Sequence, residues 1–265
     1  MWRKAMAIAA ALAGAVSAAA AEIPEAMKAA DVVFLGEVHD NRFAHEIQAG
    51  MVAALQPKAL VFEMLTADQA AKATAAVRGD MAALGAALQW DEAGWPDFAM
   101  YYPIFAAAPG AAIYGAAVPR AEARAAMEVG VAVSFGAEAG DYGLTQSLSE
   151  EEQAAREQFQ HEAHCEALPE EMLPVMVELQ RLRDAALARA AKQALDETGG
   201  PVVVITGNGH ARKDWGAPVY LRRVSDANVF SLGIAELSEG AGDFDALDLV
   251  PEVAREDPCV VFRKN

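Results

Sequence analysis

The sequence predicts an α/β fold, with a mainly parallel central sheet flanked by helices and a helical insertion or cap over about residues 147–197. Three observations predict it. Short β-branched and apolar runs alternate with segments of helical period, the pattern of strand–helix–strand units. Several of those runs end abruptly in polar, Gly-containing turns. The chain also has 265 residues of which 54% are apolar, enough for one large core even though much of that count is alanine.

In chain order, Met1 to Lys4 give a short positive start, Ala5 to Val16 an apolar stretch, and Ser17 to Ala21 small residues before Glu22. That succession marks a secretory signal peptide over 1–21, leaving 22–265 as a single exported, periplasmic domain. The competing roles are a packed N-terminal helix or a membrane anchor. The apolar stretch is shorter than the ~20 residues that span a bilayer. No cysteine stands near the cleavage site to carry a lipid, so no stable membrane anchor is expected.

Residues 31–35 read as a buried strand ending at Gly36. Asn41 caps a helix from Arg42 to about Leu55, where Phe43, Ile47, Met51 and Leu55 recur every four residues, and Pro57 stops it. Residues 59–62 form a second strand running into Glu63. Residues 66–88 look helical, weakened at Gly79 and Gly85, and a Trp-, Gly- and Pro-rich loop (90–96) leads to an aromatic helix over 97–107. Residues 111–114 are a third strand, and Pro119 suits the first position of another helix. From Ser147 to about Glu197 the pattern is helical, opened by a capping-box-like Ser149 and divided at Pro169 and Pro174. Gly199-Gly200-Pro201 breaks the chain before the strand 202–206, and further short strands are expected over 218–224, 229–234 and 260–262.

Charge excludes some partners. Asp plus Glu number 38 against 21 Lys plus Arg, a net −17; removing 1–21 takes away Arg3 and Lys4 and no acid, so −17 becomes −19. Such a chain has no general attraction for nucleic acid or an anionic membrane face. The densest basic stretch, Arg181 to Arg189, is interleaved with Leu and Ala, includes Asp184, and reads as a solvated helix face. Cys165 and Cys259 are the only cysteines. In an oxidising compartment they are expected to form a disulfide. The alternative makes Cys165 a metal ligand with His161 and His164, which lie three apart on one helix face.

Open α/β sheets bind ligands at the carboxyl ends of their strands. Here those ends carry Gly36-Glu37-Val38-His39-Asp40-Asn41, then Glu63, then Gly207-Asn208-Gly209-His210-Ala211-Arg212. His45, one turn into the following helix, can point back to the same crevice. A carboxylate left alone after an apolar strand is costly, so Glu63 requires a cationic, His or metal partner. Glu37, His39, Glu63 and His210 therefore form a candidate catalytic and metal-binding set. They could hold a divalent metal that activates water, with the remaining carboxylate as general base; a metal-free variant would use His39 or His45 as the base. The plainer roles are caps for Asp40 and Asn41, a turn for Asn208, a surface pair for Arg212 with Asp214, and an interior hydrogen-bonded His45. The aromatics Trp90, Trp95, Phe98, Tyr101, Tyr102 and Phe105 serve more readily as core than as pocket walls. No Gly-x-Ser-x-Gly, Walker A or His-Glu-x-x-His sequence occurs, which leaves serine catalysis and nucleotide binding unsupported.

The strand-end motifs, together with Phe62-Glu63-Met64, Gly94-Trp95-Pro96, Tyr102-Pro103 and Pro218-Val219-Tyr220-Leu221, occur in an order that resembles the ChaN-like haem-binding uptake family over most of residues 30–222. The resemblance implies an α/β fold and an exported protein of haem or iron uptake, with haem as ligand. It also implies a possible homodimer, in which two haems stack face to face, each iron takes a tyrosine, and a histidine from the other subunit contacts the propionates. Tyr101, Tyr102, Tyr114, Tyr142 and Tyr220 all remain open for that role. His39, His45, His210, Arg212 and Tyr102 make up the candidate cofactor-binding set. The family's wider group includes Tiki-type metal-dependent proteases and erythromycin-esterase-like enzymes, whose strand-end Glu and His keep a hydrolase as the alternative. The missing lipoprotein cysteine departs from lipid-anchored relatives.

Overall fold

In the computed structural model, which describes residues 23–237 and 242–261, six short runs form one all-parallel sheet. They are β1 (Val32–Leu35), β2 (Ala59–Phe62), β3 (Ala112–Gly115), β4 (Val202–Ile205), β5 (Val229–Glu236) and β6 (Ala246–Val250). Across the sheet the order is β3-β2-β4-β1-β5-β6. Val33, Leu35, Leu60, Phe62, Val203 and Ile205 face one core, while Val32, Phe34, Val61, Val202 and Val204 face the other. Burial on both faces explains why β1, β2 and β4 read as unbroken apolar runs instead of alternating ones.

One face is covered by α1 (Glu25–Lys28), α2 (Arg42–Leu55), α3 (Ala67–Ala70), α4 (Ala75–Arg78), α5 (Met81–Leu88), α6 (Trp90–Ala93) and α7 (Phe98–Ala107). The other face carries α8 (Arg120–Val129) and α9 (Val131–Phe135). After α10 (Glu150–Ala163) it is completed by α11 (Leu173–Thr198), α12 (Asn208–Ala211) and α13 (Ala217–Val224). The helical segment thus divides: α11 belongs to the layer on the sheet, and α10 lies over it as the cap. β1 and β4 are neighbours, yet the chain leaves β1 toward α2 on one face and leaves β4 toward α13 on the other. Connections diverging from adjacent parallel strands open a crevice beyond their carboxyl ends.

Several expectations need correction. Residues 218–224 are helix, not strand: Pro218 sits in the first turn, and Ala217, Pro218, Tyr220 and Leu221 are buried at helical spacing. Residues 66–88 form three short helices, because Thr66 caps one and Asp80 caps another after Gly79. Pro258–Val261 is a 3-10 turn, and Phe262 lies outside the described residues. The edge strand β6 escaped sequence reading because Leu247 and Leu249 face outward. Arg181 and Asp184 are buried, so the basic stretch is not a solvated face. Arg181 instead donates to the Gly143 and Gln146 carbonyls and pairs with Glu178.

Cys165 and Cys259 are disulfide-bonded, which removes Cys165 as a metal ligand. The expected signal segment, 1–21, lies outside the described residues. Among the described residues no helix is long and apolar enough to cross a membrane.

Candidate functional site

The ends of β1, β2 and β4 bring Glu37, His39, Glu63 and His210 together. Gly36 permits this approach: a Cβ there would collide with the Asn208 side chain and press on the Leu232 carbonyl. Asn208 is more than a turn residue. Its Nδ2 donates to Ile234 O at 2.8 Å and its Oδ1 accepts from Ile234 N at 3.0 Å, so it continues the hydrogen bonding of β5 and fixes the loop that carries His210.

Glu37 is 2% exposed. Its Oε1 accepts from the Tyr101 hydroxyl at 2.6 Å and lies 2.7 Å from His39 Nδ1. That contact turns His39 Nε2 outward, 3.9 Å from Glu63 Oε1 and beside the Trp95 ring, whose centroid is 5.0 Å away. On the other side His210 Nδ1 lies 2.6 Å from Asp184 Oδ1, and its Nε2 is 3.7 Å from the same Glu63 oxygen. Glu63 Oε2 accepts from Thr206 Oγ1 at 2.6 Å and Gly207 N at 2.8 Å. The site is therefore two carboxyl–imidazole pairs aimed at one central carboxylate.

Electrostatics follow from this layout. Burial opposes the imidazolium of His39, but the Glu37 hydrogen bond and the charges of Glu63, Glu37 and Asp40 outweigh it and raise His39 to about 9. Burial likewise works against the Glu63 carboxylate, yet His210, His39, Thr206 and Gly207 bring it down to about 2. His210 is raised despite its burial by Glu63 and Asp184, and burial pushes Asp184 up against the pull of His210. At neutral pH the central group is an anion beside the imidazolium of His39, and on its other side the same charge raises His210.

His39 and His210 stand between two clefts. The first, about 580 Å³, is lined by Glu63, Thr66, Trp95, Arg120 and Arg183 along with both histidines. The second, about 700 Å³, has Glu37, Phe159, Asn208, Arg212 and Phe244 in its wall. Both fall in the range of small-molecule sites. Among the described residues neither Arg120 nor Arg183 has a carboxylate partner, whereas Arg212 is held by Asp214 through contacts of 2.9 and 2.6 Å and lies over the Trp215 ring.

Other expected site residues lie elsewhere. His45 is 1% exposed, its Nε2 lies 2.9 Å from His39 O, and its Nδ1 lies near Gln48 and Glu37, so it braces the His39 loop from behind. Tyr102 turns its hydroxyl to Arg78 O at 3.3 Å and lines neither cleft. Tyr101 is fully buried on Glu37, and its phenol is raised by burial and by that carboxyl. Tyr114 donates to Glu197, Tyr142 and Tyr220 are buried, and burial raises all three, Tyr114 and Tyr142 to about 12. None of the five tyrosines lines either cleft. Trp90, Phe98, Tyr101 and Phe105 pack in the core.

The divalent-metal expectation for Glu37, His39, Glu63 and His210 gains no support. Among the described residues no group of three His, Cys, Asp or Glu is disposed to hold an ion. Glu37 Oε1 is held by Tyr101 and His39, Glu63 Oε2 by Thr206 and Gly207, and both Nδ1 atoms by carboxyls, which leaves His39 Nε2, His210 Nε2 and Glu63 Oε1 facing the cleft. Sequence reading missed Asp184, although an acid on the buried stripe Val177, Arg181, Asp184, Ala188, Ala191 was a legible signal. Arg120 and Arg183 carried no comparable signal.

A family model described as haem-binding uptake, Tiki superfamily, ChaN matches residues 23–221. Among solved structures, one described as cofacial heme binding to ChaN of Campylobacter jejuni is 21% identical, covers 82% of this chain and 86% of its own, and gives a TM-score of 0.62, which shows the fold. The type III effector HopBA1 (12% identity, 84% and 88% coverage, TM-score 0.45) and a succinoglycan biosynthesis protein (11%, 80% and 67%, 0.38) are too distant to carry an argument. No curated protein matches the chain.

Proposed function

The chain belongs to the ChaN family of haem-binding uptake proteins in the Tiki superfamily, and from that premise we propose that it binds haem for uptake or carriage in the first strand-end cleft. One observation carries the assignment. In a chain of net charge −17, this cleft gathers Arg120 and Arg183, both without a carboxylate partner among the described residues, beside His39. A porphyrin is an apolar plate with two carboxylates, and it needs apolar or aromatic walls and local cations. Trp95, Met64 and Leu187 offer the walls, and Arg120, Arg183 and the imidazolium of His39 would hold the propionates. Glu37 and His45 keep the His39 loop in place. Bound haem would supply the iron chemistry; the chain's own residues bind, orient and neutralise.

Proton positions favour binding over turnover. A general base works best with a pKa near the operating pH. Glu63 at about 2 is too weak a base at neutrality, and His39 at about 9 already carries its proton. A metal-free hydrolase is the second reading, favoured by one feature: the Glu37–His39 and Asp184–His210 pairs both aim Nε2 at an open cleft. Export through segment 1–21 into the periplasm belongs to the proposal and is supported by the disulfide, which suits an oxidising compartment. A homodimer holding haems face to face is inferred from the Campylobacter relative's cofacial haem.

The test is a haem titration followed by visible absorption, with oligomeric state measured alongside. Arg183→Ala and Arg120→Ala should each weaken binding roughly 10- to 100-fold, the range for one charge-assisted hydrogen bond. Unchanged affinity in both, with loss in Tyr102→Phe, would move the haem to a tyrosine site and overturn the cleft assignment. Saturable turnover of an ester or peptide that vanishes in Glu63→Gln would establish the hydrolase instead.

A further inference from the structure

Behind His210, between α10 and α11, lies a small chamber of about 60 Å³ with both polar and apolar walls. Arg156, Gln160, Gln180 and Asp184 line it, closed in by Phe159 and Trp215. Three of its polar atoms, Arg156 Nε, Gln160 Oε1 and Gln180 Oε1, are buried and have no hydrogen-bond partner. Gln160 is 3% exposed and Arg156 6%. Buried polar atoms in folded proteins are almost always satisfied, and three orphans lining one chamber of this size call for an occupant.

Charge and size identify that occupant. Arg156 is balanced by Glu152, and His210 by Asp184, so the chamber has no net charge to attract an ion. The orphans include a donor and acceptors, which a neutral molecule able to do both must match. Water makes about three hydrogen bonds when buried and needs roughly 10–15 Å³ of such cavity space, so several fit. Whichever way the two amides face, water can answer them.

The chamber's position gives the water a task. Gln180 and His210 also line the first cleft, and Phe159, Gly209 and His210 also line the second. We propose that the chamber holds an ordered water cluster, seated on Arg156, Gln160 and Gln180, that carries protons between the Asp184–His210 pair and the clefts. When His210 is an imidazolium, its Nδ1 proton passes to Asp184 and leaves the ring neutral with its proton on Nε2. Asp184 returns one to the nearest chamber water, and one leaves past Gln180 to solvent. The proton count is conserved and no bond between heavy atoms changes. Gln160, Gln180 and Arg156 are positioning residues that act through the water, whatever ligand the clefts take.

Two measurements on the full-length protein test this. A high-resolution crystal structure should show water within hydrogen-bonding distance of all three orphan atoms; a dry or collapsed chamber would overturn the proposal. Gln180→Met keeps the bulk and removes the polar atom. Exchange of the His210 Nδ1 proton with solvent, followed by NMR, should slow about tenfold or more in this variant, while Gln180→Glu, which still holds water, restores it. Exchange unchanged in Gln180→Met would refute the route, and so would a rise in thermal stability, since that is the result expected when an orphan in a dry chamber is removed.

Discussion

Replacing Glu63 by Gln tests the electrostatic core of the site. The introduced amide can still accept from Thr206 and Gly207 through its carbonyl, so the change removes mainly the charge that faces His39 and His210. Folding moves Glu63 from its ordinary 4.5 to about 2. At roughly 1.4 kcal/mol per pH unit this amounts to about 3 kcal/mol of stability. The raised His39 and His210 reflect the same attraction, so it is counted once. The figure agrees with the ~3–5 kcal/mol typical of breaking a buried ion pair. At ~2–4 °C per kcal/mol for a chain of this size, Tm should fall by about 6–12 °C.

The sign of the pH dependence is fixed. A depressed carboxyl stabilises the fold fully above its unfolded value and loses that contribution as pH falls through the folded one. The gap between wild type and Glu63→Gln should therefore be full near pH 5–6, narrow from about 4.5 downward and close near 2. It should shrink again toward about 9, where the raised His39 loses its proton. Thermal unfolding by circular dichroism across that range provides the measurement. A gap that stays constant between pH 6 and 3, or a variant more stable than wild type at pH 6, would refute the charge pairing of Glu63 with the two histidines.

Two further outcomes follow from geometry. Gly115→Ala should cost about 3 kcal/mol or prevent folding, because its Cβ would run into the backbone carbonyls of Leu65 and Thr66, which cannot rotate away; an unaltered urea midpoint would count against the close approach of β3 to that turn. Cys165→Ser/Cys259→Ser opens a loop spanning 94 residues and should lose about 4–5 kcal/mol on chain-entropy grounds. The difference from wild type should vanish in reductant, and equal midpoints without reductant would contradict it.

Much of the fold was legible in the sequence because local rules and burial agree there. Runs such as Val32–Leu35, Ala59–Phe62 and Val202–Ile205 are apolar throughout, as strands buried on both faces must be, and Asn41 and Pro57 mark the limits of α2. The strand-end residues Glu37, His39, Glu63 and His210 were legible as well, since ionisable groups directly after apolar strands are expensive unless they serve a site. Illegible were the elements that local pattern misrepresents: α13 disguised by Val219 and Val224, and β6, whose leucines face outward.

Tertiary structure alone decided the chemistry of the site. Asp184 lies 26 residues from His210 in sequence, and Tyr101 lies 64 from Glu37, so no spacing rule connects them. Whether His45 faces a cleft or braces a loop depends on a helix rotation that periodicity leaves open by tens of degrees. Arg120 and Arg183 come together only because the fold sets them beside Trp95, with no carboxylate partner among the described residues. Sequence determines which groups are costly to bury, through local composition and period. Only the packing of distant segments determines which group meets which, because hydrogen bonds and charge pairs act over a few ångströms in space and are blind to separation along the chain.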